Sequence, residues 1–163
     1  MQVILALETR PSSKTDYHYI KSAMDFFYVE RSYKITPIYA KNKSELMRCE
    51  KQINANIRNY PGKSVVVLCA DYDRDGDSRT NQGLVDYCAS RSYELVWMNR
   101  DVEEVFLKRR VPDKEKSQAS FDFLKRKYEL LKTIKTLDIA SPLSKYPASN
   151  LLVVLDKYLR RKT

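Results

Sequence analysis

Residues Val65–Asp77, VVVLCADYDRDGD, decide the fold of this chain. From Val65 to Ala70 every residue is small or apolar and none is charged, which is how a strand covered on both faces of a parallel sheet reads. Asp71, Asp73, Asp75 and Asp77 follow at alternate positions, with Gly76 among them. Open parallel sheets bind their ligands beyond the carboxyl ends of the strands, so these acids stand where a site is expected. Carboxylates packed this densely repel one another and must take up protons or share a cation. A divalent-metal site is the favoured reading. The plainer alternative is a solvated Asp/Gly turn between strand and helix.

Working outward, Val3–Leu7 reads as a first buried strand that ends at Glu8. Pro11 and the polar run after it make a turn, and Thr15 is placed to cap a helix with Tyr17, Ile20, Met24, Phe27 and Tyr28 at helical spacing. Ile35–Ala40 is a second strand, and its Pro37 assigns it to an edge. Leu46, Cys49, Ile53 and Ile57 share one face of a second helix. The central strand and its aspartates lead to a helix near Gln82–Ser90, and Leu95–Met98 is a fourth strand. This alternation predicts an α/β fold, a Rossmann-like, mainly parallel four-stranded sheet flanked by helices.

After Asn99 the pattern turns helical. Asp101–Arg109 reads as a short helix and VPDKEKSQ, residues 111–118, as an exposed loop. Phe121, Leu124, Tyr128, Leu131 and Ile134 form the expected inward stripe of a long basic helix, and Leu151, Leu152, Leu155 and Tyr158 that of a last one. The expected organisation is an α/β domain over residues 1–110 with a basic helical extension, 111–163, packed on it.

Composition bounds the function. The chain of 163 residues is 43% hydrophobic and 31% charged, with a formal net charge of +9. That is a globular composition and not a disordered one. Residues 1–100 hold 15 Lys and Arg against 12 Asp and Glu, whereas residues 101–163 hold 15 against 9. A basic half beside an acidic cluster points to a polyanionic partner met through metal ions. Cys49, Cys69 and Cys88 form no C-x-x-C pair and read as reduced, packed thiols. The opening MQVILALE lacks the features of a signal peptide, and no apolar run reaches membrane-spanning length. No membrane partner and a cytoplasmic location are therefore expected.

In a parallel sheet the ends of strands one and three share a rim, so Glu8 is expected to face Asp71 and Asp73. A third acidic source follows strand four, where Asp101, Glu103 and Glu104 open a helix. Oxygen ligands without His or Cys suit Mg²⁺ or Mn²⁺. The lone His18 has no evident metal partner and reads as a surface or helix-end residue.

A glutamate after the first strand, followed by strand-D-x-D after the third, resembles the signature of the TOPRIM domain, the catalytic module of topoisomerases, bacterial primases, OLD-type nucleases and small RloB-like proteins. DYDRDGD is similar to the D-P-D-R-E-G-E of type IA topoisomerases, with Tyr72 for Pro and Asp for both glutamates. The run from Asn99, NRDVEEVFL, is similar to the acidic helix start of OLD and RloB-like proteins. The resemblance spans roughly residues 1–107. It implies that Glu8 is the general acid/base or a metal ligand, that Asp71 and Asp73 hold the metal, and that Asp75 is an outer ligand. Thr9 and Arg10 stand where the family usually has Gly. The chain has no room for the separate nucleophile domain of a topoisomerase or the template module of a primase. The implied activity is thus a metal-dependent nuclease with water as nucleophile, of the kind found in mobile-element and defence systems.

Arg74, Arg79 and Arg100 stand near enough in sequence to hold flanking phosphates, or they balance local acids. Lys125, Arg126, Lys127, Lys132 and Lys135 could track a nucleic-acid backbone, DNA or RNA, although a solvated helix face explains them slightly better. Two rival loops fit less well. An EF-hand would follow a helix and carry Glu where Gln82 stands, and a haloacid-dehalogenase-type phosphatase would need further strand-end acids and a lysine. The stronger rival is a TOPRIM-like module that binds nucleic acid or a partner protein without cutting. Small TOPRIM proteins often act with a partner such as an ATPase, and this chain has no G-x-x-x-x-G-K-[ST] of its own.

Overall fold

The structure is a computed structural model that describes residues 1–72 and 78–163. Four strands, β1 (Gln2–Glu8), β2 (Lys34–Ala40), β3 (Ser64–Tyr72) and β4 (Glu94–Asn99), form one sheet in the order β2-β1-β3-β4. Every pairing is parallel: Leu5 lies opposite Pro37, Leu7 opposite Cys69, and Asp71 opposite Met98. The chain steps from β1 outward to β2, then crosses back over β1 to β3. The order reverses between β1 and β3, and that switch point is where an open α/β sheet forms a crevice. Pro37 sits on the edge strand, as its missing N–H requires.

Alternation along the two central strands divides the core into two layers. Val3, Leu5, Leu7, Val65, Val67 and Cys69 face α1 (Thr15–Phe27), α5 (Val102–Leu107), α6 (Lys116–Thr133) and α7 (Leu151–Leu155). Ile4, Ala6, Val66, Leu68 and Ala70 face α2 (Lys43–Leu46), α3 (Glu50–Asn59) and α4 (Ser78–Arg91). Residues 111–163 are built into the first layer, since Phe123, Leu131, Leu137, Leu152 and Leu159 belong to the same cluster as β1. The outer edge of β4 is covered: Trp97 N donates to Asn150 Oδ1 at 2.9 Å, Asn150 Nδ2 donates to the Leu95 carbonyl at 3.1 Å, and Asn99 N donates to the Ala148 carbonyl at 2.9 Å. A covered edge cannot recruit another strand.

Several sequence expectations change. The second helix is split into α2 and α3, so Leu46 and Ile53 lie on different helices and Ile57 is exposed, and Tyr158, expected inward, lies beyond the end of α7 and is exposed. Thr15 does not cap α1; its hydroxyl donates to Asp16 Oδ1 at 3.1 Å, and Lys14 occupies the cap position. The loop expected over residues 111–118 is shorter, because a 3₁₀ turn at Asp113–Glu115 leads straight into α6 at Lys116. The inward stripe of α6 is also rotated. Phe121 and Tyr128 are 55% and 68% exposed, whereas Phe123 is 2% exposed. Phe123 wins the inward position because its ring meets Tyr19 at 4.5 Å and Phe106 at 5.7 Å between centroids, closing a three-ring cluster that joins α1, α5 and α6. His18 Nδ1 lies 2.9 Å from Ser120 Oγ and fixes the same contact.

The rotation predicts a contrast between neighbouring residues. Phe123→Ala should cost about 3–5 kcal/mol in urea unfolding, and Phe121→Ala less than about 1 kcal/mol. Equal costs would contradict the assigned face of α6.

Candidate active-site cleft

β1 delivers Glu8 and β3 delivers Asp71 to the rim at the switch point, and the two residues meet. Asp71 N donates to Glu8 Oε2 at 3.2 Å. Lys43, from the first turn of α2, also holds Glu8, with Nζ 3.1 Å from Oε2 and 3.4 Å from Oε1. The convergence expected from strand geometry is therefore present, across more than sixty residues of sequence.

Two further elements close over this rim. The first turn of α1 brings Asp16, and α5, capped where Asp101 Oδ1 accepts from Glu104 N at 2.8 Å, brings Glu103. Glu103 is 1% exposed. Opposite stands Lys116, the first residue of α6, with Nζ 3.5 Å from Glu103 Oε2, Asp101 Oδ2 and Asp113 Oδ1. Glu8, Asp16, Asp71, Glu103, Asp113 and Lys116 line a cleft of about 540 Å³ together with Ser, Thr, Arg and Lys side chains of the surrounding loops.

The cleft is short of positive charge. Asp71 Oδ1 and Glu103 Oε1 are enclosed and have no hydrogen-bond partner among the described residues. An enclosed carboxylate oxygen without a donor is costly, and the titration of the group responds. Burial, then the charges of Asp16, Glu8 and Asp101, hold the Asp71 carboxyl well above the usual range. Burial and then the Glu103 charge push Asp16 up to about 7, against the Thr15 hydroxyl, which favours its ionised form. Glu103 is raised as well, by burial first; Lys116 opposes this and Asp101 adds to it. Burial tends to lower the Lys116 ammonium, but Glu103, Asp101, Asp71 and Asp113 outweigh it, and the net shift is upward.

The other expected site residues are scattered. Asp73, Arg74 and Asp75 lie outside the described residues. Glu104 is 3% exposed but does not line the cleft, so Glu103 is the member of that pair that faces the cleft. Arg79 stands exposed in the first turn of α4. Arg100 is exposed and its guanidinium lies 4.8 Å over the Tyr146 ring, away from the cleft lining. Lys125 and Arg126 sit on the outer face of α6, 3.5 Å from Asp122 and 3.0 Å from Glu129. Asp16 and Lys116 were missed by sequence reasoning. One looked like part of a capped helix start and the other like part of a charged loop.

Among the described residues, no three His, Cys, Asp or Glu side chains stand together closely enough to hold a metal ion. The donor chemistry nevertheless suits a hard divalent cation: only oxygens, two of them unpartnered, with burial opposing their ionisation. Comparison with protein-family models, curated proteins and solved structures finds no significant match for this chain. No helix among the described residues is long and apolar enough to cross a membrane.

The raised carboxyls make a pH prediction. Asp16 titrates near 7 in the fold against an ordinary 3.8. Between those values the folded state binds more protons than the unfolded one, so its stability falls as pH rises through that window. In EDTA, Asp16→Asn should raise Tm above pH 7, by about 2–4 °C for each kcal/mol relieved, and have little effect at pH 4. A Tm difference independent of pH would contradict the buried, charge-crowded position of Asp16.

Proposed function

We propose that the chain is a divalent-metal-dependent nuclease that hydrolyses phosphodiester bonds of nucleic acid in this cleft. The observation that carries this reading is the meeting of Glu8 and Asp71 at the switch point, beside oxygens of Asp71 and Glu103 that have no hydrogen-bond partner among the described residues. Glu8, Asp71 and Glu103, with Asp73 two residues on in sequence, are the residues that would hold Mg²⁺ or Mn²⁺, and Asp75 would be an outer ligand. The bound cation would polarise the scissile phosphate and lower the pKa of water.

The chain's own groups supply the remaining roles. Acids alone repel a polyanion, so a phosphate needs cations here; Lys116 offers an ammonium inside the cleft, and Lys43 another at its edge. Lys43 also orients the Glu8 carboxylate, leaving it to accept a proton from the attacking water. Asp16, ionising near neutrality, is suited to return a proton to the leaving oxygen. The resemblance of Glu8 and the D-x-D run to the TOPRIM signature supports the same assignment. The excess of positive charge in residues 101–163 suits a nucleic-acid substrate.

The test is cleavage of labelled single- and double-stranded DNA and RNA with Mg²⁺ or Mn²⁺ against EDTA. Glu8→Gln keeps size and much of the hydrogen bonding while removing the base. It should lower the rate by about 10²–10⁴ and leave nucleic-acid binding intact. Cleavage by Glu8→Gln at the wild-type rate, or metal-independent cleavage, would contradict the proposal.

A further inference from the structure

The outward turn of Phe121 and Tyr128 leaves two large aromatic rings in solvent on one face of α6, 55% and 68% exposed. They do not stand alone. Phe121, Lys125, Tyr128 and Lys132 recur at helical spacing, so they form a single stripe. Lys125 Nζ lies 4.4 Å over the Phe121 ring, and Lys127 Nζ lies 5.3 Å over the Tyr128 ring. From Lys125 to Lys135 the helix and its end carry five cations, and the neighbouring acids are Asp122 and Glu129. The stripe also runs on from the cleft. Ser117 lines the cleft, and Phe121 is the next residue along the same face, four positions on.

We infer that this stripe is a binding track for single-stranded nucleic acid, on which unpaired bases stack against Phe121 and Tyr128 and phosphates meet Lys125 and Lys132. The inference deepens the nuclease reading and rests on it for the direction of travel, since a strand laid along α6 would enter the cleft past Ser117. The two rings are seven residues apart, about 10 Å along a helix rising 1.5 Å per residue, or roughly three stacking steps of 3.4 Å. Bases a few nucleotides apart on one strand can therefore use both rings. A duplex cannot, because each of its base faces is already covered by a neighbour. A protein partner fits this face less well. Burying the rings would also desolvate the ammonium groups between them, whereas a polyanion pairs with them and any base offers a π-face.

The measurement is fluorescence anisotropy of a labelled oligothymidylate and of a duplex of equal length, in EDTA, so that neither metal nor cleavage enters. Wild type should prefer the single strand. Phe121→Ala/Tyr128→Ala should weaken single-strand binding about tenfold or more, with no change in Tm beyond that of an exposed substitution. Phe121→Trp/Tyr128→Trp should retain the binding, and Lys125→Gln/Lys132→Gln should make its salt dependence shallower. Wild-type protein that keeps this preference yet cleaves neither DNA nor RNA with Mg²⁺ or Mn²⁺ would sink the nuclease reading and leave the track standing. Equal affinity for strand and duplex would overturn the track. So would unchanged single-strand binding by the double alanine variant. A wild-type dimer in sedimentation that dissociates in that variant, with oligonucleotide binding unchanged, would make the stripe a protein interface and overturn it as well.

Discussion

The Asp71 carboxyl group is the constraint on which the arrangement depends. It stands near the end of β3, whose residues Val65–Ala70 are buried between the two helical layers. Its amide is tied to Glu8, and one of its oxygens is enclosed with no donor among the described residues. Asp16 and Glu103 are brought to the same cleft by helices that pack where they do because the Tyr19, Phe106 and Phe123 rings lock α1, α5 and α6 together. Hydrophobic packing thus holds like charges close, a cost borne by the fold. Lys116 offsets part of it from the start of α6, which makes that helix a component of the site as well as of the core.

A cluster of this kind is stable only with protons or cations on it. The upward shift of Asp16, Asp71 and Glu103 is the proton solution, and it weakens as pH rises. Under the proposed function a divalent ion would be the solution that persists at neutral pH, which is why the acids of the cleft, and not the basic surface, anchor that proposal. The basic surface has its own logic. Beyond Lys116, Lys125 and Lys127 of α6 lie beside exposed rings and not beside the cleft acids, so under the proposed function gripping a strand would be separate from acting on it.

The sheet was legible because its signals are local and strong. Apolar runs without charge marked β1 and β3, Pro37 marked the edge, and Gly-poor helical spacing filled the gaps between them. Glu8 and Asp71 were legible as a pair because parallel strands put their carboxyl ends on one rim whatever lies between them in sequence. Asp16 and Lys116 were not. Nothing local separates a buried Asp in a first helical turn from a solvated one, and Lys116 lay in a run of charges that reads as loop until α6 is docked. The face of α6 was misjudged for a related reason. Phe121 and Phe123 offer two nearly equal stripes, and only the rings of Tyr19 and Phe106 decide between them.

The central claim is that the crowded acids of the cleft form a cation site. Calorimetric titration of Mn²⁺ at pH 7, in two buffers of different ionisation enthalpy, tests it without reference to any substrate. Binding should be saturable and should release protons, because carboxyls held protonated by burial must ionise to take the ion. Asp71→Asn should abolish it or weaken it by at least about tenfold, 1.4 kcal/mol. No saturable binding by wild type, or equal binding by Asp71→Asn, would contradict the account.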